Sequence, residues 1–239
     1  LIPYAALLDW PAQSMLVLAP HPDDEGFGCG GLPALAHQRG VRTTVVIVSD
    51  GGQGGDPATR ELESRAAAQV LGAGIHSALE FWRLPDRHVV PDAALSQRIK
   101  SAARDCRAEW VIAPSPFEVH PDHRAVCRAA IEAVAELQAE GSAAQLVFCE
   151  IGQALTPNAL VDITKVVSIK AWAANCFVSQ LQGQAYGEQV LGLNRYRAYT
   201  LGPAASHAEG FWLVSPAHLA AGVDGVVDAM CAQIRRRLG

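Results

Sequence analysis

No run of apolar residues in this 239-residue chain approaches the length of a membrane span. No basic stretch followed by an apolar one marks a secretory leader, so the expectation is a chain at work in the cytoplasm. The sequence starts at Leu1 rather than Met, which leaves room for an upstream segment. Cysteine is sparse and scattered. The six residues Cys29, Cys106, Cys127, Cys149, Cys176 and Cys231 form no CxxC pair, which excludes a Cys-rich zinc site and argues against a disulfide framework. Positive charge is not in excess: 19 Lys and Arg against 24 Asp and Glu give a net charge of −5, which argues against a dedicated nucleic-acid binder. Repeats, linkers and low-complexity tracts are absent. With half of the residues hydrophobic, this points to one α/β domain spanning 1–239. A homo-oligomer is compatible with the sequence but not required by it.

What is there begins at Leu16. The run Met15 to Ala19 has the length and composition of a buried strand. Pro20 and Pro22 stop it, since neither has a backbone N–H to extend a ladder. The stretch His21-Pro22-Asp23-Asp24-Glu25 then places one imidazole and three carboxylates within five residues. Like charges packed this closely repel unless a cation offsets them. In open α/β sheets, ligands bind beyond the carboxyl ends of strands, which is where this cluster falls.

Further along, the pattern alternates. A helix is expected over 30–39, closed by Gly40, then a β-branched strand over 43–49 and a Gly-rich loop from Asp50 to Gly55. A helix over 58–71 ends at Gly72, and a short strand over 79–82 leads to the turn Leu84-Pro85-Asp86. A helix from about Asp92 to Asp105, a strand over 110–113, a helix from His123 to about Glu140 and a strand over 146–149 follow. This order predicts a Rossmann-like, doubly wound, mostly parallel sheet with helices on both faces. After Gly152 the pattern loosens. Helices are expected over 165–182 and 186–199, a strand over 211–214 and an amphipathic helix over 223–238. Residues 1–14 read as irregular, with Trp10-Pro11 packed on the surface.

A second cluster, His120-Pro121-Asp122-His123, also follows a strand by one loop. In a parallel sheet both loops lie on the same edge and can converge. His21, one of the Asp pair and one His of the second cluster would supply two nitrogens and one oxygen. Catalytic zinc takes three protein ligands of this kind and leaves a position for water. The leftover carboxylate and imidazole would serve as general base and acid. Spacing alone does not say which Asp or which His takes the metal.

The two clusters together resemble the PIG-L / LmbE-like family of zinc-dependent deacetylases, whose hallmarks are (A/P)-H-P-D-D-E after the first strand and H-P-D-H much later. Ser49-Asp50-Gly51, Arg60-Glu61-Leu62-Glu63 with Leu71-Gly72, and Leu84-Pro85-Asp86 are similar to further family markers. So are Lys170, Ser179-Gln180 and Ala208-Glu209-Gly210-Phe211. The resemblance implies that His21, Asp24 and His123 bind Zn2+, with other divalent transition metals compatible. It implies that Asp23 is the general base, that His120 stabilises or protonates the tetrahedral intermediate, and that Asp122 orients His120. Arg60 and Asp86 would contact a sugar, and Glu25 would hydrogen-bond within the loop. The implied reaction removes acetyl from an N-acetylated amino sugar, a small molecule or glycoconjugate. Three positions depart from the pattern. Glu118 stands where the thiol-sugar branch has a Tyr that donates to the oxyanion, a part an ionised Glu cannot play. Phe177 replaces a common His, and His207 replaces the usual Tyr.

Rival readings have less behind them. Gly26-Phe27-Gly28-Cys29-Gly30-Gly31 loosely matches the dinucleotide fingerprint G-x-G-x-x-G, but out of register and beside carboxylates that would repel a pyrophosphate. Those glycines are better explained by close packing on the sheet. An amidase on another small N-acyl substrate, or a non-catalytic sugar binder, would share the fold. His37, His76, His88 and His218 read as surface or satisfied residues. Trp82, Trp110, Trp172 and Trp212 read as core, with Trp82 close enough to the 84–86 turn to be an exception. Arg235-Arg236-Arg237 suits the C-terminal end of a helix dipole.

Overall fold

The structure, a computed structural model, describes residues 5–6, 13–72 and 77–236. In chain order its elements begin with β1 (Ala5–Ala6), β2 (Ser14–Ala19), α1 (Asp24–Phe27), α2 (Gly31–Gln38), β3 (Arg42–Ser49) and α3 (Pro57–Val70). Next come β4 (Ser77–Leu84), α4 (Ala93–Asp105), β5 (Trp110–Pro114), α5 (Pro121–Ala139), β6 (Gln145–Cys149) and β7 (Ala159–Asp162). The chain continues through α6 (Val167–Asn175), α7 (Val178–Leu181), α8 (Tyr186–Arg197), β8 (Ala208–Leu213), α9 (Pro216–Ala220) and α10 (Gly222–Arg236). The described residues form an eight-stranded sheet in the order β1-β7-β8-β6-β5-β2-β3-β4. Strands β2 to β6 pair parallel, as do β1 and β7, whereas β8 runs antiparallel to both of its neighbours, β6 and β7.

Local chemistry accounts for most of these bounds. Every residue of β2 is buried, as a strand covered on both faces requires. Its alternate residues feed two cores. Leu16 and Leu18 pack with α4, α5 and α10, while Met15, Val17 and Ala19 pack with α2 and α6. Asp56 caps α3 by accepting from Thr59 N at 2.9 Å, and Asp92 caps α4 by accepting from Leu95 N at 2.9 Å. Gly72 ends the α3 turn at φ +102°, and a side chain there would also strike the His37 ring, 2.2 Å from the Cβ position.

The less regular C-terminal part departs from the pattern reading. The helix expected over 165–182 breaks at Cys176 and Phe177 into α6 and α7. Phe177 is fully buried beside Phe27, at 5.1 Å between ring centroids, and leaves no room for a side chain at Gly26. Strand β7 is too short to announce itself, and β8 starts three residues before the expected Phe211. Trp172 lies on the outer face of α6, 66% exposed, because Lys170, Ala173 and Ala174 take the inner face. Trp110 and Trp212 are core as expected, and Trp82 is partly buried under the Arg98 guanidinium, 4.2 Å from the ring. All six cysteines are free. Trp10-Pro11, His76 and Arg237 lie outside the described residues.

Between β2 and β5 the chain reverses the direction in which it adds strands, from β2-β3-β4 on one side to β5-β6 on the other. That switch point sets the loop after β2 beside the loop after β5, so both sequence clusters meet there. The first loop is held from below by a buried ion pair. Lys170 Nζ lies 2.7 Å from Glu209 Oε1, and Glu209 also accepts from Gly31 N at 2.7 Å and Leu32 N at 2.9 Å. A carboxylate on the first turn of α2 is favoured by the helix dipole, and Lys170 offsets its charge where water cannot. Lys170→Met should therefore lose about 3–5 kcal/mol of unfolding free energy by leaving Glu209 uncompensated. Urea unfolding reads it, and a loss under about 1 kcal/mol, the range of a surface pair, would show that Lys170 does not carry this load.

Candidate metal centre

The turn after β2 is tight. His21 N donates to Asp24 Oδ2 at 2.8 Å, and Asp24 N donates back to His21 O at 3.3 Å. Asp24 thereby faces inward. Its Oδ2 lies 3.2 Å from His21 Nδ1 and 3.1 Å from His123 Nε2, and those two nitrogens are 3.1 Å apart. His123 reaches this point from the first turn of α5, which starts at Pro121 with His120 as its cap. All three residues are buried. The three atoms form a nearly equilateral triangle. Bonds of about 2.0–2.1 Å at tetrahedral angles put ligand atoms about 3.3–3.4 Å apart, so the donor set fits a zinc-sized cation.

The outer nitrogen of each imidazole is held by carboxylates. His21 Nε2 lies 3.2 Å from Asp122 Oδ2 and 3.2 Å from Asp86 Oδ1. His123 Nδ1 lies 3.2 Å from Glu118 Oε2. A carboxylate on the far nitrogen fixes which ring nitrogen is free to bind metal. The ionisation of the triangle is set by burial and by these carboxylates. Burial pushes the His21 imidazole down, but bonding to Asp122 and Asp24 overrides it and lifts the pKa to about 9. His123 is likewise opposed by burial and lifted to about 10 by Asp24 and Glu118. Burial works against the Asp24 carboxylate, yet His123 and His21 hold it well below the usual range. His21, His120 and His123 all offer ligand atoms within 4.8 Å of one another.

Asp23 points elsewhere. Its backbone sits at φ +135°, a region costly for a residue with a Cβ, and Glu25 Oε2 holds its N–H at 2.9 Å. Its Oδ2 meets the Arg60 guanidinium at 2.9 Å. Burial, then the neighbouring Asp24 charge, raises its pKa well above the ordinary carboxylate range, with Arg60 pulling the other way. His120 is half-buried and neutral-leaning: burial and then the charges of His21 and His123 lower its pKa. Its Nδ1 accepts from Asp122 N at 3.2 Å, so in the neutral ring Nε2 carries the proton.

The surroundings of three expected site residues are specific. The Asp122 carboxylate does not face the His120 ring as its orienting partner. It sits on His21 Nε2 and accepts from Arg87 N at 2.7 Å and Val89 N at 3.3 Å, because only its backbone N–H points back to His120. Arg60, expected on a sugar, is buried, with Nη1 on Gly51 O at 2.7 Å and Nη2 on both Pro22 O and Asp23 Oδ2. Asp86, also expected on a sugar, accepts from Gln53 N at 2.9 Å through Oδ2, while its buried Oδ1, 3.2 Å from His21 Nε2, has no hydrogen-bond partner among the described residues. Both line the cavity; the Arg60 terminal nitrogens are taken by protein oxygens, while Arg60 Nε, like Asp86 Oδ1, is buried with no such partner among the described residues.

The cavity has a volume of about 370 Å³ and opens over His21, Asp23, Asp24, His120 and His123. Phe27, Ile151, Tyr186 and Val190 give it an apolar side, and Gln53, Arg87 and Gln180 a polar one. The distant sequence markers join here: Ser179 N and Oγ both donate to Glu63 at 2.7 Å, and Gln180 Nε2 reaches Gly54 O at 3.2 Å. In the sequence Glu118 was legible only as a misfit; the structure places its carboxylate on His123 Nδ1. Tyr186 and Val190 carried no sequence signal. His207 bonds Ser206 and does not line the cavity. The Gly-rich turn does not receive a pyrophosphate in this fold, since its helix-start amides are taken by Glu209.

Comparison with known proteins agrees with this geometry. The profile of the PIG-L family, described as GlcNAc-PI de-N-acetylase, matches residues 16–134. The chain is 27% identical over 190 residues to the diacetylchitobiose deacetylase of Thermococcus kodakarensis, covering 70% of each chain. Among solved structures it is similar to the conserved protein TT1542 of Thermus thermophilus, at 29% identity and a TM-score of 0.76, covering 84% of this chain and 94% of that one. It is also similar to GalB, the 4-carboxy-2-hydroxymuconate hydratase of Pseudomonas putida, at 26% identity and a TM-score of 0.74, covering 85% and 96%. No helix among the described residues is long and apolar enough to cross a membrane. Sheet order, the two converging motifs and these likenesses lead to one assignment: the chain belongs to the PIG-L (GlcNAc-PI de-N-acetylase) family.

Proposed function

We propose that this chain is a zinc-dependent N-deacetylase that hydrolyses the acetamide of an N-acetylated amino sugar, as one catalytic domain over residues 1–239. The observation that carries the reading is the triangle of His21 Nδ1, Asp24 Oδ2 and His123 Nε2 with Asp23 alongside. The family description and the deacetylase relative support the substrate class. A divalent cation held there supplies Lewis acidity toward an acyl carbonyl and lowers the pKa of water toward about 7.

The protein groups do the rest. Asp23 takes the proton of the attacking water, and burial beside the Asp24 charge raises its pKa and so its basicity. Arg60 fixes the Asp23 carboxylate and the carbonyls of Pro22 and Gly51, so the base has one orientation. His120, neutral with its proton on Nε2, donates to the carbonyl oxygen as that oxygen gains charge. Protonated Asp23 then returns the proton to the leaving amine as acetate departs. The hydratase likeness gives a second outcome to look for, water addition with no acetate released.

Acetate release from a panel of N-acetylglucosamine conjugates, with simple N-acyl amides as controls, tests the reading directly. No acetate from any sugar conjugate would overturn it. Asp23→Asn should keep its metal and lose about 10²–10⁴ in kcat. His123→Ala and Asp24→Asn should lose metal, read by elemental analysis of the purified protein. Metal lost from Asp23→Asn but kept by Asp24→Asn would exchange the two roles. Arg60→Lys keeps charge but cannot span three oxygens. Losing one charge-assisted bond of about 1.5–3 kcal/mol should lower kcat by about 10–100-fold. A change confined to KM would place Arg60 on the substrate instead.

A further inference from the structure

Glu118 has four donors and two oxygens. Its side chain is fully enclosed, in the loop between β5 and α5. Oε1 accepts from Ile151 N at 3.2 Å and Gln153 N at 3.3 Å. Oε2 accepts from Gly152 N at 3.0 Å and lies 3.2 Å from His123 Nδ1. Three of the donors are consecutive amides of the loop after β6, and Ile151 and Gly152 line the cavity. The fourth belongs to the imidazole whose other nitrogen faces Asp24 and His21. One carboxylate thus holds both an inward imidazole and a wall of the pocket.

We infer that Glu118 is a positioning residue that couples His123 as a metal ligand to the 151–153 wall, so that metal uptake and ordering of that wall occur together. This rests on the metal reading of the preceding subsection. The argument is one of donor count. Each oxygen of Glu118 accepts two N–H groups, so both must be acceptors. A Gln amide, in either flip, turns an NH₂ toward two N–H donors and loses one pair. If the NH₂ faces His123, the ring can accept it only at Nδ1. The proton then sits on Nε2, the atom that must be bare to bind metal. If the NH₂ faces the loop, the amides of Ile151 and Gln153 lose their acceptor. Neither arrangement keeps ligand and wall together. The coupling also runs from the wall inward: a Cβ at Gly152 would lie 3.0 Å from Glu118 Oε2 and push the carboxylate by a few tenths of an ångström.

The test uses the purified full chain, stripped of metal and titrated with Zn2+ in competition with a chromogenic chelator. Hydrogen exchange is followed in the peptide spanning 150–154, with and without zinc. Glu118→Gln should bind zinc about 10–100-fold more weakly, the usual effect of losing a ligand's outer partner. Gly152→Ala, which touches no ligand, should weaken zinc several-fold. In the wild type, zinc should slow exchange at 151–153, and in Glu118→Gln it should not. Wild-type zinc affinity in both variants, or wild-type exchange indifferent to zinc, would overturn the inference. Should Glu118→Gln fail to fold, Gly152→Ala and wild-type exchange decide. A wild type that takes up no zinc would overturn the metal reading itself, and this inference with it.

Discussion

Negative charge buried on one edge of the sheet is the constraint on which the rest of this structure depends. Asp24, Glu25, Asp86, Glu118 and Asp122 are all nearly inaccessible, within reach of His21 and His123 or of the loop that carries them. A bare carboxylate so placed would be prohibitive unless paired or bonded. The fold answers each one with N–H groups: Asp122 takes the amides of Arg87 and Val89, Asp86 that of Gln53, Glu118 three in succession. Carboxylate oxygens of Asp24, Asp122 and Glu118 lie against the imidazoles of His21 and His123, whose pKa values they raise.

Sheet topology makes this concentration achievable. The switch between β2 and β5 brings together segments about a hundred residues apart, and the His21 and His123 nitrogens meet at 3.1 Å. Support comes from the far side through Lys170 and Glu209, the latter on the antiparallel strand β8. The C-terminal third, weakest in pattern, supplies the base on which the catalytic turn rests.

How much of this could be read from the sequence follows from where the information is local. The parallel strands and their helices were legible because hydrophobic periodicity, caps such as Asp56 and Asp92 and stops such as Pro20 act within a few residues. The convergence of the two clusters was legible because strand order dictates it. Strand β7 was not, since four residues carry too little pattern. The break before α7 was not, because it depends on Phe177 packing under Gly26, about 150 residues away. The partners of Arg60 and Asp122 were not, because spacing says which residues share an edge but not which atom faces which. Glu118 stood out as a wrong residue for one task, and only its four donors reveal the task it has.

The bonding of Arg60 has a consequence for which parts of the site can change. Its terminal nitrogens are engaged with Gly51, Pro22 and Asp23, so the guanidinium ties the turn after β2 to the loop after β3. The mouth of the cavity is different: Gln53, Arg87, Gln180 and Tyr186 line it with greater exposure. Replacing those residues need not disturb the ligand triangle or its carboxylate supports. Buried layer and exposed rim are thus separable in this molecule, so the rim can vary while the layer beneath it stays still.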